Sequence, residues 1–309
     1  MDISVIIPTY NPDLRRLNQT LDGLKEQTLK TDRWELIIVD NNSSFNIADK
    51  ISLNWHPNAK IVKEPKQGLT YARIRGFGEA KGDMIILVDD DNILEKNYLQ
   101  NTLAIFNNEP AIGAIGGRSV PLFEGDEPAW LKEFYGNLAL RDLGENIIIS
   151  AWESAYPPSA PIGAGMALRK TALDSYISRA GTQNSIITDR QGTSLSSGGD
   201  NDMVLEILKG GWRVGYFPSL CLTHIIPRER MEAAYLARLV NNTNKSWIQL
   251  LEYHRINPWK KIAAWTVPLR KIKSWFTYKP WQNKGNYIKW HGACGTYDGL
   301  SRKNYANNN

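Results

Sequence analysis

The most informative stretch of this sequence is Gly82-Asp-Met-Ile-Ile-Leu-Val-Asp89-Asp90-Asp91-Asn92, an apolar run that ends in three consecutive carboxylates. A short apolar run without polar alternation is typical of a strand that is buried on both faces, as in a parallel sheet. Ligands of open α/β sheets bind beyond the carboxyl ends of the strands, which is where these acids lie. The stretch therefore predicts an α/β domain with a ligand site at Asp89–Asp91.

The three adjacent acids also predict a metal site. Like charges this close repel one another unless something positive lies among them. Mn²⁺ or Mg²⁺ suits such a place, because these ions take oxygen ligands from carboxylates and from substrate phosphates. We expect Asp89 and Asp91 to bind the ion. A structural alternative stays open, in which Asn92 and Glu95 cap a following helix and Asp91 interacts only with that helix dipole.

Alternating strand and helix patterns surround this stretch and predict a Rossmann-like, mostly parallel sheet flanked by helices. The predicted strands are Ile3–Pro8, Trp34–Asp40, Lys60–Glu64, Met84–Val88, Ile112–Gly117, Ile162–Arg169 and Arg213–Pro218. The predicted helices are Asn11–Gln27, Leu69–Ala80, Glu95–Phe106, Thr171–Ser178 and Asn201–Lys209. The polar residues 179–199 form a segment long enough to be a functional loop.

Three further groups are candidates for chemistry, each with a structural alternative. Asp200 and Asp202 lie at the predicted start of a helix, where an Asp is also a common N-cap. His224 follows a predicted strand, although a single His is more often structural than a ligand. Arg73, about one helical turn after Gly68, is suited to pairing with the acids or to holding phosphate, and equally to a solvated surface.

In their order along the chain, these motifs resemble the family 2 glycosyltransferases with the GT-A fold. The resemblance covers residues 3 to about 226, and its motifs are Val5–Pro12, Val39–Ser44, Gly68–Arg73, Gly82–Asp91, Pro161–Arg169 and Gly199–Asp202. One such motif alone is weak evidence, but the ordered set is specific. The resemblance implies a GT-A fold and an enzyme that moves a sugar from a nucleotide-diphosphate donor, with UDP the nucleotide that relatives often use.

The resemblance also implies roles for individual residues. The implied donor-binding residues are Pro8, Thr9, Tyr10, Asn11, Asp40, Gly68, Arg73, Asp89 and Asp90. The implied metal ligands are Asp89 and Asp91, with His224 as a further ligand or a phosphate contact. The residues expected to face the acceptor are Gly163, Gly165, Met166 and Trp130.

Asp200 is the residue expected to act as the catalytic base. Family members usually have a Glu before this Asp, but here the position is Gly199, so Asp202 is a competing candidate. A carboxylate that accepts the proton of an attacking hydroxyl supports a single displacement, and the resemblance likewise implies inversion at the sugar carbon. The expected acceptor is a hydroxyl of a glycan or of a lipid-linked saccharide.

Domain boundaries follow from where the resemblance ends. We predict a GT-A catalytic domain at residues 1–227, in which residues 1–118 bind nucleotide and metal and residues 119–227 bind the acceptor. Residues 228–309 are then a helical C-terminal extension that is rich in basic residues and tryptophan.

Three other functions remain in competition with glycosyl transfer. A sugar-nucleotide nucleotidyltransferase usually has a Gly-rich basic loop after its first strand, whereas residues 9–13 contain no glycine. A glycoside hydrolase needs two carboxylates but no metal cluster or nucleotide site. A catalytically inactive scaffold subunit does not need Asp89, Asp91 and Asp200 together, so their presence disfavours it.

The C-terminal region differs in composition from the rest of the chain. Residues 245–309 contain twelve Lys or Arg and two acids, Glu252 and Asp298, whereas residues 1–244 are mildly acidic. Six of the eleven tryptophans lie there: Trp247, Trp259, Trp265, Trp275, Trp281 and Trp290. Tryptophan and basic residues together suit the membrane interface, so we expect residues 245–290 to contact an anionic membrane surface.

Within that region, Trp259–Phe276 is the expected contact, although Pro268 would break or kink a helix across it. In one alternative the tryptophans pack onto the catalytic domain and the lysines coat the outside. A second alternative is single-stranded nucleic acid, which we do not expect.

The expected location is the cytoplasm, with a peripheral position on the inner face of the membrane. The sequence has no signal peptide pattern and no apolar run of the roughly 20 residues that span a bilayer. Cys221 and Cys294 match no metal-ligand spacing and are expected to be free thiols.

Overall fold

The computed structural model describes residues 1–180 and 198–301, so residues 181–197 of the predicted functional loop 179–199 lie outside the described residues. These residues divide into two compact units. The first, which we call the sheet unit, comprises Met1–Leu122, residues 139–180 and Met203–Ile225. The second, which we call the helical unit, comprises Phe123–Leu138, residues 198–202 and residues 226–301.

The described residues contain one nine-stranded sheet. Its strands are β1 (Ile3–Thr9), β2 (Trp34–Asp40), β3 (Ala59–Lys63), β4 (Met84–Leu87), β5 (Asn92–Leu94), β6 (Ile112–Phe123), β7 (Ile148–Ser150), β8 (Ala167–Arg169) and β9 (Arg213–Ile226). The order is β3-β2-β1-β4-β8-β6-β9-β5, and β7 pairs with β9. Strands β1 to β4 pair in parallel, whereas β8 pairs antiparallel with β4 and β6, and β9 pairs antiparallel with β5 and β7.

Eight α-helices lie in the described ranges. They are α1 (Leu14–Lys25), α2 (Leu69–Glu79), α3 (Tyr98–Asn108), α4 (Asp174–Ala180), α5 (Gly199–Lys209), α6 (Ala233–Tyr253), α7 (Val267–Tyr278) and α8 (Lys284–Leu300). The predicted α/β architecture flanked by helices, with a helical C-terminal extension, is confirmed.

Alternating residues of the central strands build a separate core on each face of the sheet. In β1, Val5 and Ile7 belong to one buried cluster and Ile6 to the other. Leu17 of α1 joins the first cluster and Phe77 of α2 joins the second, so helices cover both faces. This double burial explains why the central strands have apolar sequences without polar alternation.

Several boundaries differ from the sequence predictions. The predicted strand Ile162–Arg169 is a strand only at Ala167–Arg169, and the three-residue strands β5 and β7 were not expected, because such short segments have no readable periodicity. The alternative in which Asn92 caps a helix is wrong. Asn92 lies in β5, opposite His224 of β9, and the following helix begins only at Tyr98.

The helical unit is held together by close contact between α6 and α8. The side-chain amide of Asn241 donates to the carbonyl of His291 at 2.8 Å, and that of Asn244 donates to the carbonyl of Gly292 at 3.1 Å. A Cβ added to Gly295 would lie 2.0 Å from the carbonyl oxygen of Asn241. Glycine is therefore needed where the two helix backbones approach this closely.

No helix among the described residues is both long and apolar enough to cross a bilayer. Cys221 and Cys294 are free thiols, as predicted.

We predict that Gly295→Ala lowers the free energy of unfolding by at least about 2 kcal/mol, because a methyl group at 2.0 Å from Asn241 forces α6 and α8 apart. Thermal melting measures the change. Gly136→Ala is the matched control in the same unit, since an added Cβ there meets nothing within 4 Å, and we expect a change within about 0.5 kcal/mol. Equal melting temperatures for the two variants would contradict the close helix contact.

Candidate active site

The loop after β1 is fixed to the loop after β2. The backbone N–H of Asn41 donates to the carbonyl of Thr9 at 2.8 Å. Asn11, with a φ of 47°, donates its backbone N–H to the Ser43 hydroxyl at 2.9 Å, and its side-chain oxygen accepts from Ser44. These bonds hold the two loops at the carboxyl end of the sheet, where the sequence predicted the donor site.

The predicted donor residues at these strand ends have different exposures. Thr9 and Asp40 are buried, while Tyr10 and Asn11 are exposed. The Asp40 carboxylate accepts from the backbone N–H of Ser43 at 2.9 Å. Pro8 is a buried strand residue opposite Val39. Tyr10 and Asn11 are the most exposed residues of this group.

Asn41 braces a third loop, a role that sequence analysis missed. Its side-chain amide donates to the carbonyls of Glu64 at 3.1 Å and Lys66 at 2.8 Å, and its side-chain oxygen accepts from the N–H of Gly68 at 2.7 Å. Gly68 has a φ of 139°, which an L side chain rarely adopts. The Asn directly after the strand-end Asp was the available signal, because a buried Asn offers both donors and an acceptor to loop backbone.

Arg73 lies on the buried face of α2, with a relative exposure of 1%. It shares that face with Gly76, whose added Cβ would meet Ile6 and Val39 of the sheet. The surface alternative for Arg73 is therefore wrong. A buried guanidinium needs negative partners. Arg73 lies in the second turn of α2, the helix that follows the Gly68 loop.

The acidic loop after β4 is shaped by Asn92. The Asn92 side-chain amide donates to the Asp91 carboxylate at 3.1 Å, and its oxygen accepts from the backbone N–H of Asp89 at 3.3 Å. The Thr9 hydroxyl donates to the Asp90 carboxylate. Asp91 is buried, whereas Asp89 and Asp90 are partly exposed. Each carboxylate of the run therefore has a different environment.

Asp91 and His224 meet at the carboxyl end of the sheet. The Asp91 Oδ1 lies 3.4 Å from the His224 Nε2, and both side chains are buried. Strand pairing sets this contact, because β5 places Asn92 opposite His224 and the N–H of Ile225 donates to the carbonyl of Asp91 at 2.9 Å. Two residues that are 133 positions apart in the sequence thus form one contact.

The chemistry of these residues fits a divalent cation. Carboxylate oxygens and an imidazole nitrogen are ligands that Mn²⁺ accepts, and the carboxylate oxygens suit Mg²⁺ as well. The 3.4 Å between Asp91 and His224 is short enough for both to bind one ion, and Asp89 begins the same loop. The structure thus brings together two of the three predicted ligands, Asp91 and His224, while Asp202, Glu206 and His254 form a separate group whose ligand atoms lie within 4.8 Å of one another and could hold a metal ion.

The predicted acceptor residues do not all offer a surface. Met166 is fully buried in the core, so its side chain does not reach a ligand. Gly165 has a φ of 71°, and its carbonyl accepts from the hydroxyl of Tyr98, whose pKa is raised by burial. Gly163 accepts the N–H of Met166 at 3.3 Å. These residues form a packed turn before β8 rather than an open binding surface.

Trp130 belongs to the helical unit and is partly buried. Its ring lies 6.2 Å from that of Phe134 in an edge-on arrangement. Its role as an acceptor residue remains a prediction.

Asp200 and Asp202 differ in their environments although both lie in the first turn of α5. Asp202 is buried, and its Oδ1 lies 2.7 Å from the Nε2 of His254, which is also buried. Asp200 is partly exposed. The helix begins at Gly199, so the N-cap alternative for Asp200 is wrong. Sequence analysis missed His254, because a single His at a helix end has no distinguishing spacing.

Comparisons with known proteins identify the family. The sequence profile described as "Glycosyl transferase family 2" matches residues 4–172. A Haloferax volcanii glucosyl-dolichyl phosphate glucuronosyltransferase is 24% identical over 140 residues, covering 44% of each chain. A Shigella flexneri dTDP-rhamnosyl transferase is 25% identical over 180 residues, covering 56% of this chain and 55% of the relative. The alignments thus span about half the length of these relatives.

A solved structure confirms the predicted GT-A fold. The crystal structure of Staphylococcus aureus TarS 1–349 in complex with UDP-GlcNAc superposes with a TM-score of 0.55. The superposition covers 94% of this chain and 90% of that chain, at 15% sequence identity.

We predict that Asn41→Ala loosens the 64–68 loop, because it removes three hydrogen bonds and leaves the buried N–H of Gly68 without its acceptor. The free energy of unfolding should fall by about 2 kcal/mol. Hydrogen exchange at residues 64–68 should accelerate more than in β1. Asn46→Ala is the control, since the Asn46 side chain is exposed and caps no helix end. Unchanged exchange at the loop would contradict the bracing role.

Proposed function

Because this chain belongs to glycosyl transferase family 2, we propose that it moves a sugar from a UDP-sugar to a hydroxyl with inversion. Mn²⁺ or Mg²⁺ assists the reaction, and Asp200 is the base. The observation that carries the proposal is the contact of Asp91 with His224 at the carboxyl end of β4. The matches are to glycosyltransferases, which leaves the nucleotidyltransferase, hydrolase and inactive-scaffold alternatives without support.

The donor site of the proposal lies at the ends of β1, β2 and β4. Tyr10 and Asn11 face the nucleotide, Asp40 contacts base or ribose, and Arg73 and the Gly68 loop stabilise the diphosphate charge. UDP is supported by the TarS crystal structures, which contain UDP-GlcNAc and UDP. The dTDP-rhamnosyl transferase of S. flexneri makes a thymidine nucleotide the second choice.

In the proposed site, Asp89, Asp91 and His224 bind the divalent cation. A divalent cation bound there supplies positive charge that stabilises the diphosphate leaving group. Asp90, which accepts from the Thr9 hydroxyl, links the acidic loop to the donor loop. In this arrangement the side-chain amide of Asn92 donates a hydrogen bond to the Asp91 carboxylate and so holds it in one position.

Asp200, rather than Asp202, is the base of the proposal. The Asp202 carboxylate is buried and bonded to His254 at 2.7 Å, so it fixes the first turn of α5 to the end of α6. Asp200 lies two residues earlier and is partly exposed. The Asp200 carboxylate accepts the proton of the acceptor hydroxyl while its oxygen attacks the sugar carbon and the bond to the diphosphate breaks. A single displacement of this kind inverts the anomeric centre.

The acceptor of the proposal is a hydroxyl on a glycan or on a lipid-linked saccharide. The H. volcanii relative is named for a glucosyl-dolichyl phosphate, which supports the lipid-linked class. We further propose the catalytic domain at residues 1–227, with residues 1–118 for nucleotide and metal and residues 119–227 for the acceptor. Because Met166 is buried, the proposal does not include its side chain in the acceptor site.

A panel of nucleotide sugars tests the proposal. We expect UDP-sugars to raise the melting temperature more with Mn²⁺ than with chelator, since a ligand at 100 times its dissociation constant adds about 2.7 kcal/mol. Stabilisation by no nucleotide sugar, with or without metal, would refute a donor site of this kind.

We predict that Asp91→Asn stays folded but lowers the Mn²⁺-dependent affinity for UDP by at least about tenfold, because the charge is lost while an oxygen remains for the Asn92 amide. Calorimetric titration with UDP, in Mn²⁺ and in chelator, measures it. Asp126→Asn is the control, an exposed Asp that should leave the affinity unchanged. An unchanged, metal-dependent affinity in Asp91→Asn would remove Asp91 from the site.

We predict that Asp200→Asn binds UDP like the parent protein. The rate at which it releases UDP from the donor should fall by at least about 10²-fold, because this is the usual effect of losing a general base. Asp202→Asn should lose less, and His254→Gln should resemble Asp202→Asn, because both weaken the same hydrogen bond. The reverse order of effects would make Asp202 the base.

A further inference from the structure

The C-terminal helix α7 directs its apolar residues towards solvent. Leu269, Ile272 and Phe276 lie three and four positions apart, on one side of the helix, and have relative exposures of 62%, 57% and 65%. Helices of globular proteins normally turn such a stripe towards the core. In α7 the apolar stripe faces solvent instead of the core.

The opposite side of α7 makes the contacts with the protein. Val267 and Ser274 are buried, and Lys271 pairs with Asp298 of α8 at 2.8 Å. The carbonyl of Lys271 also accepts from the indole N–H of Trp290 at 3.2 Å. Since these contacts fix the rotation of α7, the exposure of the apolar side follows from how the helix is held.

Tryptophans extend this apolar side at both ends. Trp265, with a relative exposure of 76%, lies just before the helix, and the exposed Trp281 follows it. The Trp281 ring lies 6.2 Å from that of Phe276, so it continues the stripe. We call Trp265, Leu269, Ile272, Phe276 and Trp281 the apolar stripe. The alternative in which the tryptophans pack onto the protein does not hold for Trp265, Trp281 or the exposed Trp259.

Pro268 does not interrupt the helix, although the sequence predicted a break or kink at this residue. The helix begins at Val267, so Pro268 lies in the first turn, where its missing N–H has no intrahelical acceptor. The helix ends at Tyr278, and the next residue, Lys279, adopts a left-handed conformation with a φ of 49°. Leu269, Ile272 and Phe276 therefore lie on one short, unbroken helix.

Basic residues surround the stripe, and most of them have no neutralising acid among the described residues. Residues 259–289 contain eight Lys or Arg and no Asp or Glu. Three of these pair with acids from elsewhere in the helical unit: Lys261 with Glu252, Lys271 with Asp298 and Lys289 with Glu133. The other five are exposed and make no salt bridge within residues 1–180 and 198–301: Lys260, Arg270, Lys273, Lys279 and Lys284.

We propose that the apolar stripe inserts into the interfacial region of an anionic phospholipid bilayer, with α7 lying in the plane of the membrane. An amphipathic helix in this position buries its apolar side at the boundary between headgroups and acyl chains. Indole rings at its ends lie at headgroup level, and the five exposed cations meet the anionic headgroups. The occupant is anionic because the surface around the stripe is basic.

Lipid fits this surface better than nucleic acid. Single strands bind through bases stacked on aromatic rings, and the centre of the stripe is formed by the aliphatic side chains of Leu269 and Ile272. Aliphatic side chains offer no ring for stacking, but they fit among acyl chains. The inference does not depend on the proposed catalytic chemistry, and its test needs no activity.

Vesicle flotation of the full chain tests the inference. Vesicles of phosphatidylcholine alone are compared with vesicles that also contain phosphatidylglycerol, at low and at high salt. We expect the parent protein to float with the anionic vesicles at low salt and to float less at high salt, because salt screens the cations. Ile272→Ser combined with Phe276→Ser should reduce flotation at least about tenfold.

A charge variant separates the two contributions. Arg270→Gln combined with Lys273→Gln should lose the preference for anionic vesicles, whereas the control pair Lys30→Gln and Lys50→Gln has the same charge change at exposed sites of the sheet unit and should bind like the parent. All these side chains are exposed, so circular dichroism should show unchanged folding.

Three results would overturn the inference. The first is a parent protein that fails to float with anionic vesicles at low salt. The second is flotation that the Ile272→Ser, Phe276→Ser variant retains. The third is binding to a fluorescent single-stranded oligonucleotide that this variant loses while vesicle binding is absent, which would make the stripe a nucleic-acid surface.

Discussion

Like-charge repulsion at the end of β4 is the constraint around which the site is organised. Three carboxylates in sequence cannot share one environment, and the structure gives them different partners. Thr9 donates to Asp90, Asn92 donates to Asp91, and His224 lies 3.4 Å from the Asp91 carboxylate. The partners come from β1, β5 and β9. The repulsion that remains among them is the physical reason for which we propose a cation at this loop.

Strand register determines whether His224 reaches that loop. Side chains alternate between the faces of a strand, so a shift of one residue in β9 would turn His224 to the other face. The register is fixed because β9 pairs with β5 at Asn92 and the neighbouring Ile225 binds the carbonyl of Asp91. The apolar residues of β9 are buried as well, and a shift would expose them. The burial that stabilises the sheet thus also positions the His that completes the acidic site.

The sequence predicted the fold class and the strand-end acids because both depend on local patterns. Apolar runs of β1, β2 and β4 have the length and composition of buried strands, and the order of the motifs placed Asp91 and His224 in one site. Asn41 and His254 were not predicted, since their roles depend on loops and helix ends that meet only in the folded chain. The alternative in which Asn92 and Glu95 cap a helix is wrong, because pairing of β5 with β9 overrides the local signal of an Asn followed by a Glu three residues later.

The orientation of α7 is a second feature that the sequence pattern alone does not predict. Its sequence contains apolar residues on one side and Val267, Lys271 and Ser274 on the other, and hydrophobicity alone would place the first side inwards. Two specific contacts decide otherwise: the ion pair of Lys271 with Asp298, and the bond from the Trp290 indole to the Lys271 carbonyl. An apolar side that is left in water costs free energy in the isolated protein. Such an arrangement is stable only if the remaining contacts of the helical unit outweigh that cost, and the close packing of α8 against α6 at Gly295 supplies contacts of this kind.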